Sequence, residues 1–190
     1  MMTIPFSTDW ATLPVPEDDG GADHLIDLMV PDIALPTSDG QLVTLAALPG
    51  VVVVYAYPMT GRPEVPLPDG WDMLPGARGC TPQSCAFRDH FVELRSHGVD
   101  HLFGLSTQTG DYQKEAAERL HLPFPLLSDA ALVLTRALRL PTFRTAGMDL
   151  LNRLTMVLVG GRIAHVFYPV FPPDRNAADV IDWLRRRASV

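Results

Sequence analysis

Apolar runs and helical spacings alternate along the chain. Ile33-Ala34-Leu35 and Leu42-Val43-Thr44-Leu45 flank the turn residues Ser38-Asp39-Gly40, so residues 32–45 read as a short hairpin. Val51-Val52-Val53-Val54-Tyr55-Ala56-Tyr57 is an unbroken β-branched and aromatic run, which predicts a central strand buried on both faces. Pro58, which cannot continue a central ladder, ends it. Phe87, Phe91 and Leu94 recur at i, i+4, i+7 and predict one face of a helix, with Thr81 as N-cap, Pro82 as first helical residue and Gly98 as stop. Leu102-Phe103-Gly104-Leu105-Ser106 predicts a second strand, parallel to the first through a right-handed β-α-β connection. Residues 112–120 predict a helix capped by Asp111, residues 124–127 a short extended piece, and residues 130–138 a further helix. Residues 154–159 and 163–168 predict two strands joined by a Gly160-Gly161 hairpin turn. After Pro172-Pro173, Asn176 is expected to cap a last helix with Val180, Ile181 and Leu184 inward, and Arg185-Arg186-Arg187 to face its negative end. This order predicts an α/β protein, a central mixed sheet flanked by helices.

Two stretches show no period. Residues 1–21, with Pro5, Pro14, Pro16 and Glu17-Asp18-Asp19, predict a mobile arm ahead of one domain over residues 22–190. Residues 58–76 hold Pro58, Pro63, Pro66, Pro68 and Gly70, and structureless loops of that length in compact domains are often functional.

Composition narrows the function. A length of 190 residues with 47% hydrophobic and 19% charged residues fits one soluble globular domain. A net charge of −7 without a basic stripe argues against nucleic-acid binding. No apolar stretch approaches the ~18 residues of a membrane span, and the start lacks the charged and apolar regions of a signal peptide. A cytoplasmic address is therefore expected, where a close cysteine pair serves catalysis or redox sensing more often than structure. The six histidines are scattered, and Gly98 separates the one pair at i, i+4 (His97 and His101), so neither a metal nor a cofactor is expected.

The candidate chemistry lies in Gly79-Cys80-Thr81-Pro82-Gln83-Ser84-Cys85, which holds both cysteines. A sulfur at a helix start meets unpaired N–H groups and the positive end of the dipole, and both favour the nucleophilic thiolate. Cys80 is thus the candidate attacker, with Arg78 adding positive charge nearby. Cys85 lies five residues further. Helix geometry separates such Cα atoms by roughly 8.6 Å, against about 4.4–6.8 Å in a disulfide. Either the pair never bonds, or bonding is coupled to local unwinding.

These residues resemble the peroxiredoxins, most closely the bacterioferritin-comigratory-protein or Q-type subgroup. The resemblance rests on Tyr57-Pro58, on residues 79–89, on Phe103-Gly104-Leu105-Ser106, on Pro123-Phe124-Pro125-Leu126-Leu127-Ser128-Asp129 and on Arg153-Leu154-Thr155, and it covers about residues 25–187. It implies a thioredoxin-like fold and a thiol-dependent peroxidase acting on hydrogen peroxide or organic hydroperoxides. Cys80 would be the peroxidatic cysteine, oxidised to a sulfenic acid. Cys85 would be the resolving cysteine, closing an intramolecular disulfide that a thioredoxin-type dithiol reduces. Arg153 matches the family's active-site guanidinium, Pro58 its shielding proline, and backbone N–H groups from Gly79 onward would form an anion hole. Relatives of this kind imply a monomer or weak homodimer.

The chain departs from the family's Pro-x-x-x-Thr/Ser-x-x-Cys pattern. Ala77 stands three residues before Cys80, and Pro58 stands 22 before it, so residues 58–76 read as an insertion. Thr60 is the candidate to fold back and supply the missing hydroxyl. Three rivals share part of this pattern. A disulfide reductase predicts C-x-x-C, which is absent. A thioredoxin-fold copper-handling protein predicts closer cysteines and a downstream histidine. A peroxide sensor that relays oxidation to a partner protein predicts the same chemistry at Cys80.

Overall fold

The computed structural model describes residues 8–188. Strands β1 (Ala34–Pro36) and β2 (Leu42–Thr44) pair antiparallel as the expected hairpin. The apolar run becomes β3 (Val51–Ala56). Helix α1 (Cys80–Asp89) and helix α2 (Phe91–Ser96) lead to β4 (Val99–Ser106), which lies parallel to β3. Then follow α3 (Gly110–Arg119), β5 (Leu126–Ser128), α4 (Val133–Leu138), the hairpin β6 (Thr142–Thr145) and β7 (Met148–Leu151), β8 (Leu154–Val159), β9 (Arg162–Phe167) and α5 (Asn176–Ala188). The main sheet has the order β5-β4-β3-β8-β9, with β3 antiparallel to β8 and β8 antiparallel to β9. It is the mixed sheet with flanking helices that the order of elements predicts.

The two-fold alternation of β3 divides the core. Val52, Val54 and Ala56 join Leu35, Leu45, Leu134 and Leu138 on one face. Val53, Tyr55 and Tyr57 join Phe87, Leu94, Val180 and Ile181 on the other. Neither face meets water, which is why this segment is apolar without interruption. Phe87 stacks on Tyr55 with ring centroids 4.4 Å apart and fixes α1 to the sheet. Truncating so buried a phenylalanine costs about 3–5 kcal/mol.

Several local expectations are corrected. Helix α1 begins at Cys80, not after Thr81: the N-cap is Gly79, at φ 107°, and no side chain caps it. The Gly79 carbonyl already accepts the amide of Gln83 at 3.0 Å, so the helical ladder starts there. The expected single helix is broken at His90, which places Phe91 in α2, half-buried against Phe124. Asp111 sits inside the first turn of α3 rather than capping it. Helix α4 starts at Val133 rather than at residue 130; its N-cap position is Leu132, and the carboxylate of Asp129 accepts the amides of Leu134 at 3.2 Å and Thr135 at 2.7 Å. Asn176 is the first residue of α5, and its side chain faces the interior.

The β6–β7 hairpin was not anticipated. Its Ala146-Gly147 turn, with both φ angles positive, is the local signal for it. It gives the 58–76 segment a dock: Trp71 and Ala77 bury against Leu150, with Met59, Leu74 and Phe143 around them. The N-terminal segment from residue 8 also lies on the domain. Trp10 Nε1 donates to Asp174 at 2.8 Å, its ring meets Phe171 edge-on, and Tyr168 donates to Asp19 at 2.8 Å. Residues 1–7 of the expected arm lie outside the described residues. Among the described residues, no helix is long and apolar enough to cross a membrane.

Candidate active site

Cys80 is the first residue of α1 and is almost wholly buried, at 4% exposure. Gly79 before it has a steric reason to be glycine. A β-carbon there would stand 2.5 Å from Pro173 Cγ and 2.9 Å from the Trp10 ring, and the backbone is left-handed.

Arg153 lies just before β8, and its buried guanidinium reaches the same sulfur. Nη2 stands 3.2 Å from Cys80 Sγ and also faces the carbonyls of Gly76, Ala77 and Arg78 at 3.1, 3.3 and 3.2 Å. Nη1 donates to Gln83 Oε1. Gln83 Nε2 donates to Asn176 Oδ1 at 2.9 Å, which also accepts the hydroxyl of Thr155 at 2.6 Å. Arg153 and Thr155 are i, i+2 around the strand start and so share a face. Gln83, Asn176 and Thr155 are thus the positioning partners of the guanidinium. Sequence reasoning missed them. Only the spacing of Arg153 and Thr155 hinted at the network, because its other members are far apart in the chain.

Among the described residues, no carboxylate forms an ion pair with Arg153. Its neighbours are neutral carbonyls, a neutral amide and the sulfur. A buried cation without an anion carries a large desolvation penalty. Negative charge on Cys80 or on a ligand beside it is the compensation that the site accommodates.

Tyr57 and Pro58, at the end of β3, are both buried. Tyr57 donates to Gln113 Oε1, and burial pushes its phenol far above the usual value. Gln113 is held in turn by Ser106 and by the Leu127 carbonyl, each at 2.8 Å.

Cys85 is half-buried in the same helix, and both cysteines are free thiols. Burial pushes the Cys85 thiol up, opposed by the nearby Arg88 guanidinium.

Thr60 is not brought to the sulfur. Its amide and hydroxyl face Gln108 Oε1 at 2.9 and 3.3 Å, and Gln108 Nε2 returns a bond to its carbonyl at 3.1 Å. A cavity of about 270 Å³ opens on Cys80, and the hydroxyl-bearing residues that line it are Thr8 and Thr81. Ala77 contributes its carbonyl instead, 3.6 Å from Sγ.

Known proteins resemble this chain along most of its length. The family profile described as Redoxin matches residues 27–181. The peroxiredoxin Bcp of Escherichia coli K12 is 31% identical over 165 residues, covering 84% of this chain and 95% of that protein. The crystal structure of peroxidoxin BcpB from Mycobacterium tuberculosis superposes with a TM-score of 0.69 at 25% identity, over 85% of this chain and 96% of that one. Peroxiredoxin Q of Xanthomonas campestris has the same fold, with a TM-score of 0.64 at 22% identity over 93% and 98% of the two chains.

Proposed function

From the premise that the chain belongs to the Redoxin family and is a peroxiredoxin of the Bcp and Q kind, we propose that it reduces hydroperoxides by a two-cysteine cycle. The observation that carries this reading is the buried Arg153 guanidinium, 3.2 Å from Cys80 Sγ and without a carboxylate of its own.

Cys80, as thiolate, attacks the terminal oxygen of the hydroperoxide. An S–O bond forms as the O–O bond breaks, and the alkoxide (or hydroxide) leaves with a proton as alcohol or water. The sulfur is then a sulfenic acid. Charge passes from sulfur to the departing oxygen, and Arg153 stands where it can donate to both. The free amides that follow Gly79 at the start of α1 add dipoles already aimed at that charge. Buried Tyr57, which shares a core cluster with Cys80, helps keep water from the sulfur.

Cys85 then attacks the Cys80 sulfur. An S–S bond forms and water leaves. Two residues five apart in α1 cannot meet this way without unwinding, given the Cα separation of roughly 8.6 Å in an intact helix. The first turns must therefore open once per cycle. A thioredoxin-type dithiol supplies two electrons and two protons by exchange and restores both thiols.

Intact mass after one equivalent of hydrogen peroxide tests the scheme. Wild type is expected to lose two hydrogens. Cys85→Ser is expected to hold a sulfenic acid that a dimedone-type probe traps, and Cys80→Ser to stay unmodified. Rapid oxidation of Cys80→Ser would reassign the attacker and end this reading.

A further inference from the structure

Opening the start of α1 breaks more than backbone hydrogen bonds. Thr81, Pro82, Gln83 and Ser84 lie between the two cysteines. Thr81 and Pro82 are half-buried and, among the described residues, make no side-chain hydrogen bond. Gln83 and Ser84 are both at 0% exposure, and both are tied to the body of the domain. Gln83 belongs to the Arg153 network described above. Ser84 has a separate tie: its Oγ accepts the hydroxyl of Tyr55 at 3.1 Å.

Tyr55, in the central strand β3, cannot follow the helix if it moves. It is fully buried, and its ring is stacked on Phe87 and met edge-on by Phe124. Its phenol end has room because β4 carries Gly104 beside it. A β-carbon there would stand 2.8 Å from Tyr55 Cζ and from the hydroxyl oxygen. The φ of Gly104 is not positive, so this glycine supplies space rather than a conformation. Burial pushes the Tyr55 phenol well above its usual value, so it stays protonated and donates. Among the described residues, Ser84 is the only hydrogen-bond partner of that hydroxyl. Losing it leaves a buried polar group unsatisfied, which is the costly way to break a hydrogen bond.

Ser84 and Cys80 are four apart and share a face of α1. Cys85 is turned about 100° further round. For its sulfur to reach the Cys80 sulfur, the backbone between residues 80 and 85 must turn. Ser84, the immediate neighbour of Cys85, turns with it, and its bond to Tyr55 breaks.

We propose that the Tyr55–Ser84 hydrogen bond is a brake on resolution: it holds α1 closed after Cys80 is oxidised and sets how fast Cys85 reaches the sulfenic acid. Ser84 is a positioning residue for this second step and takes no part in the first. The inference rests on the two-cysteine reading and names the residue pair that governs its conformational step.

Rapid-quench intact mass after one equivalent of hydrogen peroxide separates the two steps, following the sulfenic acid as it appears and as it converts to the disulfide. Ser84→Ala and Tyr55→Phe are each expected to speed conversion about tenfold, equivalent to about 1.4 kcal/mol, with Cys80 oxidation within about twofold of wild type. The double variant is expected to convert no faster than either single one, because both substitutions remove the same bond. Amide exchange over residues 80–85 in the reduced protein reads opening without peroxide, and it is expected to rise in both variants. Unchanged conversion and exchange in both single variants, or fully additive effects in the double variant, would overturn the brake. Faster exchange in the variants with no disulfide in any protein would remove the two-cysteine reading and with it the role in resolution, while the bond would stand as the tie that keeps α1 closed.

Discussion

Cys80 stands at the open end of α1, its sulfur 3.2 Å from a buried guanidinium and its cavity lined by further arginines. Cys85 stands about one and a half turns along the same helix. There it is half-buried, its thiol is held up by desolvation, and Arg88 is its main opposing charge. In the proposed cycle the two thiols of this one helix take different steps. The first is surrounded by groups that stabilise negative charge at once. Burial in the folded helix favours the neutral thiol of the second, which in the proposed cycle acts as nucleophile when that helix opens. Position along the helix, rather than residue type, sets the division of labour.

The largest effect should come from removing the charge that distinguishes the first thiol. Arg153→Gln is expected to slow Cys80 oxidation by about 10²–10³-fold, the usual loss for a group stabilising transition-state charge. Stopped-flow fluorescence with hydrogen peroxide would measure it. A change of less than about threefold would mean that the helix start suffices without the guanidinium.

The next effect probes the junction that holds the helix closed. Gly79→Ala places a β-carbon against Pro173 and Trp10 in a left-handed backbone. The strain is expected to cost about 1–3 kcal/mol, lowering Tm by about 2–12 °C. Disulfide formation after the first oxidation should become faster, because the folded start of α1 is the state being strained. An unchanged Tm by scanning calorimetry would show that the junction yields without cost.

The smallest and most graded effect is pH. The folded Cys85 thiol is raised above its unfolded value by burial. The folded helix therefore favours the thiol, and this contribution is present below about pH 8.5, the ordinary cysteine value, and lost as pH rises through the folded value. Raising the pH thus favours opening and also supplies more thiolate, and both act in the same direction. The rate of disulfide closure in peroxide-treated wild type is expected to climb steadily from pH 6 to about 9. A flat profile would place the limiting step elsewhere than at Cys85.

Much of this protein was legible in the chain because it depends on neighbours in sequence. The β3 run announces burial on both faces, the Gly160-Gly161 turn announces β8 and β9, and Cys80 beside Thr81-Pro82 announces a sulfur at a helix start. The spacing of Cys80 and Cys85 already implies that any bond between them requires unwinding, since helix geometry is the same in every protein. Local detail was less legible where two caps competed. Asp129 captures α4 from four residues upstream, and Asn176 gives its side chain to Gln83 and Thr155 instead of capping α5.

Only the tertiary structure could decide what surrounds the sulfur. Arg153 is separated from Cys80 by 73 residues, and its neutral buried setting depends on carbonyls of the inserted loop and on an amide of α1. Thr60 goes to Gln108 because the turn after Pro58 docks on the β4–α3 loop, a contact that no local pattern encodes. Arg62 Nε is likewise left buried without a hydrogen bond because Arg119, on α3, takes the closer place at the Glu115 carboxylate. Periodicity and turn chemistry act over a few residues. Unpaired charge and solvent exclusion are sums over every group that folding brings within a few ångströms, and the chain order does not contain that sum.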